Sequence, residues 1–207
     1  MTNEARFWDR IAERYAKRAV PDQSAYEKKL EVTRRYLTPD SEVLEFGCGT
    51  GSTALLHAPL VKHVHAIDFS EKMIAIAERK RLEAKVRNVS FECRSIEALD
   101  AAGRRYDVVM GLNVLHLVQD WKLTIANVRR LLKPGGVFVS STACMGDSMA
   151  WFKYVLPLGR AFGVLPNLAI FTTGDLEQAL REAGFEIEHE WQPGKNKAVF
   201  IVARSAR

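Results

Sequence analysis

The chain has 207 residues, 47% hydrophobic and 27% charged, a composition ordinary for a soluble globular protein and long enough to bury one substantial core. A single domain over residues 1–207 is therefore expected. The net charge of +5 and the pI near 9.2 fit an acidic partner, but the basic pairs (Lys28-Lys29, Arg34-Arg35, Arg104-Arg105, Arg129-Arg130) are scattered among acids, as on solvated helix faces, so a nucleic-acid stripe is not expected.

Residues 1–37 read as two helices forming an N-terminal cap, broken near Pro21-Asp22, the second opened by a Ser24-x-x-Glu27 capping box. In the first, Trp8, Ala12 and Tyr15 share one face. The start of the chain is polar and charged with no apolar signal core, so neither secretion nor targeting is expected and the cytoplasm is the default.

From residue 41 strands and helices alternate, the pattern of a mainly parallel sheet covered on both faces by helices. Strands are expected at Glu42 to Phe46, His63 to Asp68, Val89 to Arg94, Tyr106 to Gly111 and Val137 to Thr142. Helices are expected over Ser52 to Leu60, from a Ser70 cap to about Ala84, and from an Asp120 cap to Leu132. Lys133-Pro134-Gly135-Gly136 reads as a stop and turn into the fifth strand.

Residues 145–171 are rich in large apolar side chains, including Trp151, Phe152 and Phe162, but Lys153, Pro157, Arg160 and Pro166 interrupt them. A lid or substrate wall is expected there and a membrane span is not. In the closing segment, 172–207, Thr172 to Asp175 reads as a capping box, Gly184 as a helix stop, and Phe185 to Trp191 with Lys197 to Ala203 as an antiparallel hairpin.

Chemistry concentrates at the ends of these strands. Glu45-Phe46-Gly47-Cys48-Gly49-Thr50-Gly51 places three glycines where a strand opens into a helix, so a ligand can approach the backbone and its free N–H groups. Ser52 stands where a dinucleotide-binding G-x-G-x-x-G loop would have glycine, which points away from a nicotinamide or flavin pyrophosphate. Asp68 ends the second strand, where a carboxylate can accept hydrogen bonds from ribose hydroxyls or simply cap the next helix. The three cysteines, Cys48, Cys93 and Cys144, are far apart with no C-x-x-C pair; they favour a reducing compartment and argue against a zinc or other metal site.

The E-x-G-x-G-x-G run, the Asp68-Phe69-Ser70-x-x-Met73 segment, the Tyr106-to-His116 stretch and the Leu-Lys-Pro-Gly-Gly turn occur in the order found in class I S-adenosylmethionine-dependent methyltransferases, which the 41–203 segment resembles. The resemblance implies a Rossmann-like, doubly wound, mainly parallel α/β sheet of seven strands ending in an antiparallel hairpin, with the cofactor on the 41–144 core. It further implies that Glu45, Gly47, Gly49 and Gly51 meet the methionine portion, Asp68 the ribose, Phe69 and Met73 the adenosine, and Asn113 and Val114 the methionine end. Ser95 stands where the family often has an acidic residue for adenine, leaving that contact to its hydroxyl and the Ile96 backbone. Tyr15 corresponds to a tyrosine that covers the cofactor in several small-molecule methyltransferases.

The implied activity is methyl transfer to a small, apolar or amphipathic molecule, with S-adenosylhomocysteine as product. Two roles fit His116: a base for an acceptor that must lose a proton, or pocket packing. An RNA or DNA methyltransferase and a catalytically silent cofactor-binding scaffold are the alternatives. The fourth strand lacks the Asn/Asp-Pro-Pro-aromatic motif of amine-directed DNA enzymes, and no cysteine follows a proline. Oligomeric state is not legible.

Overall fold

The apolar residues of the strands alternate between two cores on either side of one sheet. Leu44 and Phe46 of β1 (Glu42–Phe46), Ile67 of β2 (His63–Asp68) and Val109 of β4 (Tyr106–Leu112) join one cluster. Their neighbours Val43, Val64, Ala66, Val108 and Met110 join the other. Both faces of a strand can be apolar only if helices cover both, and they do. The first cluster is closed by α5 (Trp121–Leu131) and α6 (Thr173–Glu182) through Ile125, Val128, Leu176 and Leu180; the second takes Val32 from α2 (Gln23–Arg34) and Ala54 from α3 (Ser52–His57).

The computed structural model describes residues 3–99, 103–148 and 168–206. Its sheet has seven strands in the order β3-β2-β1-β4-β5-β7-β6, with β3 at Val89–Cys93, β5 at Leu132–Thr142, β6 at Phe185–Trp191 and β7 at Val199–Ser205. The first five strands pair in parallel; β7 lies antiparallel between β5 and β6. This is the expected Rossmann-like sheet with a closing hairpin. The strand order reverses between β1 and β4, which opens a crevice at their carboxyl ends.

Local sequence explains most boundaries. Ser70 accepts the Met73 N–H and caps α4 (Glu71–Glu83), Asp120 caps α5 through the Leu123 N–H, and Thr172 and Asp175 form a reciprocal capping box on α6. The last strand, expected at Lys197 to Ala203, is shifted by two residues to Val199–Ser205, and three further boundaries differ from expectation for a local reason. Asp22, not Ser24, caps α2, accepting from the Ala25 N–H at 3.0 Å, so the helix begins before the supposed capping box. Pro59 ends α3 early, and Ala58–Leu60 continue as a single 3-10 turn.

The third is the Lys133-to-Gly136 stretch, which is a bulge inside β5 rather than a turn before it. Pairing starts at Tyr106 with Leu132 and resumes at Val108 with Val137; Lys133 Nζ holds Asp107 Oδ2 at 2.7 Å across the gap. Most of the expected lid, residues 149–167, lies outside the described residues. Its near end is anchored, for Phe171 is buried and stacks on Trp121 at 4.2 Å.

The N-terminal helix α1 (Asn3–Ala16) packs on α4 through Ala12, Met73 and Ile76, a small cluster separate from both sheet cores. Asp9 fastens it, accepting from Ser70 Oγ at 2.6 Å and from the Lys72 N–H at 3.1 Å. A carboxylate at a helix N-terminus is electrostatically favourable.

Candidate active site

The β1–α3 connection is the floor of the site. Gly47, Gly49 and Gly51 all adopt positive φ, a conformation that disfavours L side chains. Their surroundings divide them. A Cβ on Gly51 would lie 2.5 Å from the Phe91 ring and 2.8 Å from Ala77, so that glycine exists to let α3 pack on the sheet. A Cβ on Gly49 would meet only Tyr15, at 3.9 Å, and would otherwise enter open space. Gly49 is the residue that a ligand can approach.

Asp68 ties this loop to the end of β2. Its Oδ2 accepts from the Gly49 N–H and its Oδ1 from the Ser70 N–H, each at 2.9 Å. Burial raises the pKa of this carboxyl, while those two N–H bonds pull it down. Behind the loop, burial pushes Glu45 up to about 8, with the Asp68 charge acting in the same direction; its Oε2 is buried with no hydrogen-bond partner among the described residues. The Asp68 carboxylate and the Glu45 carboxyl, one of whose oxygens has no partner among the described residues, sit beneath the loop, whose Cys48, Gly49 and Gly51 N–H groups are bonded within the protein. That pair of carboxyls suits a ligand carrying both hydroxyls and positive charge.

A cavity of about 450 Å³ opens over this floor. That is within the size range of small-ligand sites, roughly 300–1,000 Å³. Gly47, Gly49, Asp68, Phe69, Met73, Ser95, Ile96, Asn113 and Val114 line it, and α1 supplies Trp8 and Tyr15, which meet edge-on at 6.3 Å. Asn113 takes a left-handed conformation (φ 57), with its N–H on the Ser141 carbonyl at 2.7 Å. The apolar surfaces of Phe69, Met73 and Ile96 stand on the β2–β3 side, and the polar Asn113 on the β4 side.

Three expected site residues do not reach the cavity wall: Gly51 serves packing, Glu45 lies behind the loop, and His116 is not among the lining residues. His116 belongs to a 3-10 turn, Leu115–Leu117, whose neighbours Val114 and Leu117 do face the cavity. Burial holds its imidazole near pKa 4, and Nδ1 has no partner among the described residues. Lining residues that motif spacing does not single out include Phe46, Arg94, Glu97, Leu117, Val118 and Leu123. All but Leu123, which lies in the first turn of α5, share one signal: each lies at the carboxyl end of a strand or in the connection that follows it. Cys48, in the loop, is buried and its thiol is pushed well above the ordinary range by that burial, which suits a small packing residue and not a thiolate.

The family described as a methyltransferase domain matches residues 8–190. The chain belongs to that family. Among methyltransferase relatives, the ubiquinone biosynthesis O-methyltransferase of Coxiella burnetii (strain RSA 493) is 36% identical over 128 residues, covering 60% of this chain and 53% of that protein. The malonyl-[acyl-carrier protein] O-methyltransferase of Paenibacillus sp. is 26% identical over 163 residues, covering 75% and 59%. The chain thus spans about half the length of the first of these curated methyltransferases. The solved DhpI–SAH complex superposes with a TM-score of 0.77 over 99% of this chain and 96% of that one at 20% identity, which shows the shared methyltransferase fold. The family match includes α1 from Trp8 onward, so the helix that walls the cavity is part of the methyltransferase domain.

Proposed function

We propose that this chain transfers the methyl group of S-adenosylmethionine to a small, apolar or amphipathic acceptor and releases S-adenosylhomocysteine. The observation that carries this reading is the joining of Gly49 and Asp68 by a direct hydrogen bond on the floor of one cavity, with the orphaned carboxyl of Glu45 behind them. Family membership supports it, as do the relatives named for O-methyl transfer to small or carrier-bound molecules.

In this reading Asp68 takes the ribose hydroxyls, Phe69, Met73 and Ile96 sandwich the adenine, and Ser95 offers its hydroxyl to it. Gly47, Gly49, Asn113 and Val114 border the methionine portion, with Tyr15 as the cover. When bound, the cofactor supplies a methyl group activated by its sulfonium. The protein's share is orientation and exclusion of water, worth on the order of 7–11 kcal/mol at best. His116, held neutral near pKa 4 by burial and off the cavity wall, takes the packing role behind Val114 and Leu117.

Incubation with methyl-labelled cofactor and a metabolite extract tests the activity: label is expected in the small-molecule fraction, and its absence there would favour a silent scaffold. Asp68→Asn keeps the shape but loses the charge that strengthens hydroxyl hydrogen bonds by about 1.5–3 kcal/mol. Calorimetry is expected to show cofactor binding weakened about tenfold or more. Wild-type affinity in that variant would remove Asp68 from the site.

A further inference from the structure

Among the described residues Lys29 is a cation with no ion-pair partner. It projects from α2, and its Nζ donates to Ser141 Oγ at 2.8 Å. That hydroxyl donates in turn to Asn113 Oδ1 at 3.3 Å. Among the described residues no carboxylate lies within ion-pair distance of the ammonium. The acid whose charge it feels, Asp22, is engaged as the cap of its own helix. Burial lowers the pKa of this ammonium, so the fold bears a desolvation cost that one neutral hydroxyl does not offset.

Its place in the sheet order says which ligand could offset it. The adenosine side of the cavity lies over β2 and β3, the glycine loop over β1, and Asn113 at the end of β4. Ser141 is on β5, paired with Leu112 of β4 and one strand beyond the methionine end. One turn before Lys29 on the same helix, the Tyr26 hydroxyl meets Thr53 Oγ1 at 3.1 Å, so α2 turns two polar groups towards the carboxyl ends of the strands.

We propose that Lys29, held on Ser141, binds an anionic oxygen group of the methyl acceptor, so that the acceptor is an acid such as a carboxylate. This rests on the methyltransferase reading above. Lys29 and Ser141 stand behind Asn113, which lines the cavity; from there the ammonium selects an anionic acceptor and holds its oxygen at the Asn113 side, which costs little reorganisation at the moment of reaction.

The test uses the full chain saturated with S-adenosylhomocysteine and two matched probe pairs, octanoate with octanamide and benzoate with benzamide, titrated by calorimetry. The wild-type complex is expected to bind each acid about tenfold more tightly than its amide. Lys29→Met should abolish that preference and Lys29→Arg retain it, with S-adenosylhomocysteine affinity within about threefold of wild type in both. Equal binding of acid and amide by the wild type, or a preference surviving in Lys29→Met, would overturn the assignment. A tenfold loss of S-adenosylhomocysteine affinity in Lys29→Met would also overturn it, by giving the ammonium to the cofactor's own carboxylate. If the wild type binds no S-adenosylhomocysteine, the methyltransferase reading itself falls, a result distinct from the others.

Discussion

Glu45 is the residue whose protonation links folding to ligand binding. With its pKa pushed to about 8 in the folded chain, against roughly 4.3 when exposed, it is protonated at neutral pH. The folded state binds the proton more tightly, so this contribution to stability is complete below the ordinary carboxylate value and is lost as pH rises towards 8. Glu45→Gln is therefore expected to flatten the decline in melting temperature of the free protein between about pH 5 and 8. A cationic ligand on the loop favours the carboxylate, so cofactor binding at pH 7 should release a proton. Binding enthalpies measured in buffers of different ionisation enthalpy check this: they should differ for wild type and coincide for Glu45→Gln. The glycines separate in the same way. Gly51→Ala places a Cβ on Phe91 and Ala77 and should cost about 1–3 kcal/mol of stability by overpacking. Gly49→Ala, whose Cβ meets no protein atom closer than 3.9 Å, should carry only the strain of its positive φ, about 1–2 kcal/mol, and lose cofactor affinity besides. A chemical denaturation curve beside a binding titration would distinguish the two.

At the scale of elements, α1 is held to the site through α4. Asp9 bonds the Ser70 hydroxyl and the Lys72 N–H, and Ser70 is both the α4 cap and a neighbour of Asp68. Asp9→Ala is expected to cost about 1 kcal/mol of stability and to weaken cofactor binding, because Trp8 and Tyr15 lose their fixed position over the cavity. Unchanged affinity would mean that α1 docks through Ala12, Met73 and Ile76 alone. Asp9 is not legible in the sequence, since its partner lies 61 residues away and no local pattern joins them. The strands were legible because their apolar runs are short and bounded by glycine, proline or capping residues; Asp68 followed from ending a strand, and Met73 and Asn113 from the family resemblance of the segments that carry them. The Lys133–Gly136 bulge was not, because Lys-Pro-Gly-Gly is as good a turn as a bulge until Lys133 finds Asp107 on the neighbouring strand. Lys29 looked like part of a solvated basic pair for the same reason: the Ser141 hydroxyl that marks it out comes from β5.

Across the whole molecule, cohesion is unequal. Two large cores sandwich the sheet, with β1, β4, β5 and β7 contributing fully buried residues to both. The cluster under α1 has only Ala12, Met73 and Ile76 buried, with Trp8 and Ala16 packed partly against it. Regions with little buried apolar surface open at lower free energy than the core. The amides of residues 3–16 should therefore exchange with solvent by a local opening that leaves β4 and β5 protected. Since Trp8 and Tyr15 wall the cavity, a ligand that fills it binds only the closed form and must raise the opening free energy by mass action. At a ligand concentration about 100 times Kd the gain is about 2.7 kcal/mol, or roughly a hundredfold slower exchange in α1. Native-state hydrogen exchange with and without S-adenosylhomocysteine measures it directly. Protection spread evenly over α1 and the sheet would mean that the helix opens only with global unfolding, and that the cavity is closed by a rigid wall.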